Sequence, residues 1–250
     1  MLLKEKAALV TGSSRGIGAA IALKLAENGC RVAVNYYQND AAANETLEKM
    51  QKLGSEGILC KADVTKEEDI NEMAKDVKNR LGSLDILVNN ASAPVKSKFI
   101  LDLDWDIIEE QIATAVKGTF LCCKAFAPEM VEKKGGRIIN IATQYSLGNP
   151  PPKLGHYTTA KSGMVGLSRS LSVELAPYGI TVNMVSPGLT ETDFSSHIPE
   201  RMKQMIAQQT PLKKNTTVED VAISVLFLVS DAASHITGVN LPVCGGMVMQ

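Results

Sequence analysis

The chain has 250 residues, 45% hydrophobic and 21% charged, with 26 Lys and Arg against 27 Asp and Glu. A net charge of −1 gives no bulk attraction for nucleic acid or an anionic membrane, and no run approaches the ~18 apolar residues of a membrane span. The five cysteines (Cys30, Cys60, Cys122, Cys123, Cys244) are scattered and lack CxxC spacing, so reduced, buried thiols are expected rather than a zinc site or redox pair. These properties predict a cytoplasmic protein with no nucleic-acid or membrane partner.

No linker of biased composition divides the chain and no repeat recurs, so residues 1–250 are expected to form a single α/β domain. Apolar runs at 7–12, 31–37, 57–64, 84–91, 136–142, 180–188 and 239–243 read as strands. Their continuity, without strict alternation, predicts strands covered on both faces, hence a parallel sheet between helix layers. Helical patterns fit between them at 16–29, 40–54, 66–81, 104–133, 157–177 and 217–230. The first is closed by Asn-Gly, the third entered by the cap-like Thr65, and the last entered through "NTTVED". The polar, Met-containing stretch 188–215 breaks this alternation and suits a mobile flap over a substrate site.

The first strand runs straight into "TGSSRGIG", placing Gly12, Ser14, Arg15, Gly16, Ile17 and Gly18 between a strand and a helix. Glycines there permit a tight turn and close approach of backbone N–H groups to a pyrophosphate, which the helix dipole favours. This order predicts dinucleotide binding. At the end of the second strand, where NAD-binding chains place an acid on the adenosine ribose, stand Asn35, Tyr36 and Tyr37. With no acid to repel a 2′-phosphate and Arg15 able to bind one, NADP(H) is favoured over NAD(H); Arg15 as a solvated loop cation is the alternative. Asp63 and Val64 are candidates for contact with adenine, Asp63 equally for a helix cap.

Four motifs, "TGSSRGIG", "NNA" at 89–91, "YTTAK" at 157–161 and "SPG" at 186–188, together with the closing "ITGVNLPVCGG", resemble the short-chain dehydrogenase/reductase family over nearly the whole chain, most closely its 3-oxoacyl-[acyl-carrier-protein] reductase type. The resemblance implies a Rossmann-type doubly wound parallel sheet of about seven strands in three α/β/α layers. It also implies hydride transfer to or from a carbonyl or alcohol carbon, and a homodimer or homotetramer. By the same resemblance Asn89 and Ala91 line the cofactor, Asn89 bracing the central strands. Pro187 and Gly188 lie beside the nicotinamide, and Thr190 or Thr192 near its carboxamide.

Tyr157 and Lys161 lie at i and i+4, on one face of a helix. An ordinary phenol, with a pKa near ~10, becomes a usable general acid or base when a neighbouring ammonium stabilises its phenolate. Lys161 has a second expected task, on the nicotinamide ribose. Alone, such a pair is as readily an exposed surface contact; its position after a phosphate-binding fold favours chemistry. The substrate-orienting serine of the family aligns with Thr143, 14 positions before Tyr157, and threonine keeps the hydroxyl. Ser146 is a weaker substitute, and Gln144 or Tyr145 offer substrate contacts.

Besides Thr143, two further positions depart from the family pattern. Ser92 follows "NNA" where relatives carry glycine, and Ala115 occupies the position of an asparagine that holds a water for proton resupply, Thr114 being the neighbouring alternative. Trp105 reads as packing or a cleft shield, Cys122 and Cys123 as core or interface, and His156 as a substrate contact or an exposed loop residue. His197 and His235 lack a partner pattern, so no metal is expected. Lys133, Lys134 and Arg201 are offered to an acidic carrier or are solvated cations. The expected function is NADP(H)-dependent reduction of a small-molecule or acyl-thioester carbonyl. Enoyl-thioester reduction, another carbonyl, or a non-catalytic cofactor-binding role are the alternatives.

Overall fold

The computed structural model describes residues 2–196 and 198–249. Seven strands, β1 (Ala7–Val10), β2 (Arg31–Tyr36), β3 (Gly57–Lys61), β4 (Ile86–Asn89), β5 (Gly136–Ile141), β6 (Ile180–Pro187) and β7 (Asn240–Val243), form one sheet in the order β3-β2-β1-β4-β5-β6-β7. Every pairing is parallel. Central β1 sets Ala7 opposite Arg31 and Val10 opposite Val34 on one side, Ala8 opposite Ile86 and Val10 opposite Val88 on the other. The strand order reverses between β1 and β4, which opens a crevice at the carboxyl ends of the strands.

The helices are α1 (Gly16–Glu27), α2 (Asp40–Lys52), α3 (Glu67–Leu81), α4 (Trp105–Ile112), α5 (Gly118–Glu132), α6 (Gly155–Leu175), α7 (Glu200–Gln209) and α8 (Val218–Val229). Ala8, Val10, Val32, Val34, Val88, Ile139 and Val185 face one core with Ile21 and Leu25 of α1 and Val221 and Val225 of α8. Ala7, Leu9, Ala33, Leu87, Ile138 and Val182 face the other, with Ile70 and Val77 of α3 and Leu121 and Phe126 of α5. Strand residues alternate between two buried faces, which explains apolar runs without a polar alternation.

Local signals act as expected at several ends. Thr217 and Asp220 form a reciprocal cap on α8, with Asp220 N–H donating to the Thr217 hydroxyl at 3.1 Å and Thr217 N–H to the Asp220 carboxylate at 2.9 Å. Thr65 differs: its hydroxyl donates to Asp63 at 2.7 Å instead of capping α3. The expected helix 104–133 is interrupted by a π turn at Ala113–Lys117, where Gly118 N–H bonds the Ala113 carbonyl five residues back. The stretch 188–215 contains a 3-10 turn at Asp193–Ser195 and helix α7, so it is not simply irregular. No helix among the described residues is long and apolar enough to cross a membrane.

Candidate active site

The turn after β1 is built by close backbone packing. Gly12 has φ +61°, and a Cβ there would stand 2.8 Å from the Ala91 Cα. A Cβ on Gly18 would meet the Gly12 carbonyl at 2.4 Å, so α1 can approach the turn only with glycine at that position. Asn90 clamps the arrangement: its side-chain amide donates to the carbonyls of Thr11 (2.9 Å) and Gly12 (3.1 Å), while the Thr11 hydroxyl accepts from the N–H groups of Asn90 and Ala91. Asn35 does not point out to a ribose. It is buried, accepts from Gly12 N–H at 3.1 Å and donates to the carbonyls of Cys60 and Ala62.

The turn therefore presents the first N–H groups of α1 at Gly16, Ile17 and Gly18, which lack intrahelical acceptors. Gly16 is left with room: a Cβ would meet only the Thr192 methyl, at 3.5 Å. That cradle, with an N-terminal helix dipole and no acid in the first helical turn, fits a dinucleotide pyrophosphate. Ser14 is tied in through its carbonyl, which accepts from Thr46 at 2.9 Å.

At the end of β2, the Tyr36 hydroxyl donates to Asp40 at 2.9 Å, and Lys61 meets the same carboxylate at 3.1 Å. An acid thus stands beside the end of β2 after all. It comes from the start of α2, and both partners hold its carboxyl below the usual range, the Tyr36 hydrogen bond being the larger cause. The Asp63 carboxylate accepts from Thr65 N–H and Oγ1 in the turn before α3, so it is not the helix cap offered as its alternative, while Val64 lines a narrow crevice with Thr11, Asn89, Ala91, Thr114, Gly118, Thr119 and Cys122. Asn89 braces the strands, donating to Asn140 at 2.8 Å; Asn140 donates to Ser168 at 2.7 Å. The Asn89 Oδ1 is buried with no partner among the described residues.

Tyr157 and Lys161 project from the first two turns of α6 toward the end of β5. The Tyr157 hydroxyl shares a hydrogen bond with the Thr143 side chain, which supports the alignment of Thr143 with the family serine. Burial pushes the phenol up to about 12, a push that the Thr143 bond partly offsets. Lys161 is buried, donates to the Ile141 carbonyl at 2.7 Å, and is pushed down to about 8 by desolvation. In the free protein burial is the largest influence on the phenol. Ser146 is no substitute for Thr143, since its hydroxyl donates to the Thr143 carbonyl at 2.7 Å.

Beyond β6, Pro187 ends the strand, Gly188 N–H donates to the Val243 carbonyl at 2.9 Å, Thr190 donates to Gly188, and Thr192 N–H donates to Ser195 Oγ at 3.0 Å. Ala115 is buried against Ala160 and Met164 of α6, whereas Thr114 turns to the crevice and donates to the Glu110 carbonyl. Ser92 is exposed, so its side chain needs no space in the interior. Trp105 is exposed at the start of α4, and Cys122 and Cys123 are core residues. His156 corrects the expectation of an exposed loop: it is fully buried in α6 because that helix begins two residues early. His235 is exposed, and His197 lies outside the described residues. Among the described residues no cluster of three metal-ligating side chains occurs.

Sequence reasoning missed Asn90, Asn140, Ser168 and Asp193. Polar asparagines at the ends of otherwise apolar strands, "NNA" and "IINIA", were the available signal for the first two.

A parallel sheet with a glycine turn at its switch point and a tyrosine–lysine pair at its carboxyl edge defines a nicotinamide-dependent oxidoreductase architecture. The chain belongs to the short-chain dehydrogenase/reductase family: the family model described as Enoyl-(Acyl carrier protein) reductase matches residues 12–248. It is 39% identical over 246 residues to the 3-oxoacyl-[acyl-carrier-protein] reductase FabG of Staphylococcus epidermidis, covering 98% of this chain and 100% of that protein. Among solved structures it resembles a 7 alpha-hydroxysteroid dehydrogenase complexed with NADH and 7-oxo glycochenodeoxycholic acid, with TM-score 0.93, 32% identity and coverage of 99% and 96%. A short-chain dehydrogenase from Burkholderia cenocepacia in complex with NADP superposes with TM-score 0.90 at 31% identity, covering 98% and 99%.

Proposed function

We propose that the chain is an NADP(H)-dependent reductase of 3-oxoacyl thioesters. The observation that carries the reading is the trio at the end of β5, in which the half-buried Tyr157 bonds the buried Thr143 through its hydroxyl and shares a helix face with the buried Lys161. Full-length similarity to 3-oxoacyl-[acyl-carrier-protein] reductases supports the substrate class. Arg15 at the glycine turn, and the neutralisation of Asp40 by Lys61, support acceptance of a 2′-phosphate. A cytoplasmic dimer or tetramer belongs to the same reading.

When bound, the reduced nicotinamide supplies the hydride. In this reading Gly12, Ser14, Gly16, Ile17 and Gly18 hold the pyrophosphate, and Val64, Asn89 and Ala91 flank the nucleoside. Pro187, Gly188, Thr190 and Thr192 border the nicotinamide. Thr143 orients the substrate carbonyl oxygen by its hydroxyl, and Tyr157 donates the proton to that oxygen. A phenol pushed up by burial is protonated at neutral pH, which readies it as an acid for reduction. Lys161, on the Ile141 carbonyl in the free protein, would hold the nicotinamide ribose and supply positive charge that favours the phenolate.

Ala115 favours a second reading, a cofactor-binding protein with little turnover, because an alanine packed on Ala160 offers no amide to a proton path. NADPH oxidation is measured with a 3-oxoacyl thioester, an enoyl thioester and simple diketones, alongside Tyr157→Phe. Turnover of the 3-oxoacyl thioester that falls at least ~10²-fold in Tyr157→Phe is expected. Turnover confined to the enoyl thioester transfers the reading to alkene reduction, and NADPH binding without turnover favours the second reading.

A further inference from the structure

The base of the segment after β6 lies beside the glycine turn, and one ion pair links the two across a gap. The Arg15 guanidinium meets the Asp193 carboxylate at 3.2 Å, and the Thr192 methyl faces Gly16 across the space a Cβ would fill. Asp193 is held in place by its neighbours. Thr192 and Ser195 cap each other around the 3-10 turn Asp193–Ser195, and Ser195 Oγ also donates to the Thr190 carbonyl at 2.9 Å. The acid is therefore presented from a braced turn, while the arginine reaches it from the first residue before α1.

We propose that Asp193 is a cofactor-specificity residue: it occupies Arg15 in the free protein, and the 2′-phosphate of NADP(H) must displace it. The inference rests on the NADP(H) reading above. Three facts lead to it. Arg15 is the cation of the turn, whereas Lys61, the cation beside the end of β2, meets both oxygens of Asp40 in a pair also exposed but braced by the Tyr36 hydroxyl. Arg15 reaches Asp193 through one contact only, Nη1 to Oδ2 at 3.2 Å, and turning a forked edge of the guanidinium to a phosphate dianion draws Nη1 off that carboxylate. The ion pair is exposed, with side-chain exposures of 60% for Arg15 and 71% for Asp193, so it is weak enough for a phosphate to break.

The exchange links two sites. A dinucleotide without the 2′-phosphate leaves Arg15 on Asp193, and the base of the segment stays tethered to the glycine turn. A dinucleotide with the phosphate frees Asp193, and with it the tether of the segment that leads into α7. Cofactor identity is thereby read at the flap as well as at the ribose, and linkage requires the reverse: weakening the tether favours the phosphorylated cofactor.

The test measures dissociation constants of NADPH and NADH, and of 2′,5′-ADP and 5′-AMP, for wild type, Asp193→Asn, Arg15→Gln and the double variant. Asp193→Asn is expected to lower the NADPH and 2′,5′-ADP constants ~2- to 5-fold, the range of an exposed ion pair, with NADH and 5′-AMP unchanged. In an Arg15→Gln background the Asp193→Asn effect disappears. Equal shifts for both cofactors, or no shift with NADPH while Arg15→Gln still weakens NADPH selectively, overturns the role of Asp193 and leaves the NADP(H) reading standing. No selective effect of Arg15→Gln overturns both.

Discussion

Lys161 donates to the backbone carbonyl of Ile141 at 2.7 Å, so in the free protein the ammonium is held at the end of β5 by one neutral acceptor. Burial pushes its pKa down to about 8. Because the folded state holds this proton less tightly than the unfolded chain does, the penalty is complete below pH ~8 and shrinks as pH rises toward the ordinary lysine value. Wild-type stability is therefore expected to rise between pH 8 and 10. Lys161→Met removes that rise and adds ~1–3 kcal/mol at pH 7, while abolishing turnover. Urea titrations at several pH values, paired with NADPH oxidation, check both halves.

The hydrogen bond from the Thr143 side chain eases ionisation of Tyr157. Thr143→Val keeps the shape and deletes that bond, so kcat is expected to fall ~10- to 100-fold with NADPH affinity nearly unchanged. Thr143→Ser keeps the hydroxyl and retains most activity. An equal loss in both variants would assign the effect to packing.

Gly18 and Gly16 separate folding from binding. Gly18→Ala drives a methyl to 2.4 Å from the Gly12 carbonyl and 2.6 Å from the Asn90 amide, and is expected to cost ~1–3 kcal/mol of stability. Gly16→Ala meets no atom closer than 3.5 Å but must adopt φ +60°, a strain of ~1–2 kcal/mol. Its larger effect is expected on cofactor affinity, since the added methyl fills the cradle. Melting temperatures and NADPH titrations of the two variants distinguish these outcomes.

His156 is buried with neither ring nitrogen partnered among the described residues, and burial, with Lys96 adding to it, lowers its pKa. The neutral ring is the folded form, so stability falls as pH drops below the ordinary histidine value, ~6.5, toward the lower folded value. His156→Leu is expected to flatten stability between pH 7 and pH 5 relative to wild type, as measured by chemical denaturation. A slope identical to wild type would show that the ring titrates freely.

The parallel sheet, its seven strands and most helix ends were legible in the chain because each rests on short-range chemistry: continuous apolar runs, the Asn-Gly stop after α1, the Thr217 cap. The glycine turn and the Tyr157–Lys161 spacing were legible for the same reason, since a helix sets i and i+4 on one face whatever surrounds it. The π turn at Ala113–Lys117 was not, because the pattern of 104–133 is helical throughout and the wider turn lies where Ala115 packs on Ala160 and Met164. Burial of His156 was hidden because it depends on α6 beginning two residues early.

The sequence by itself determined the fold class through periodicity, and marked the glycine turn and the Tyr157–Lys161 pair through spacing; Thr143 and the other candidate residues entered through resemblance to the family. Only the tertiary structure decided how those groups are charged and occupied. It turned Asn35 inward to the glycine turn, brought Asp40 to Tyr36 and Lys61, and set Asp193 on Arg15 from 178 positions away. It also made burial, rather than the neighbouring lysine, the dominant influence on Tyr157. Desolvation and ion pairing depend on which atoms meet across the fold, and no local pattern in the chain records that.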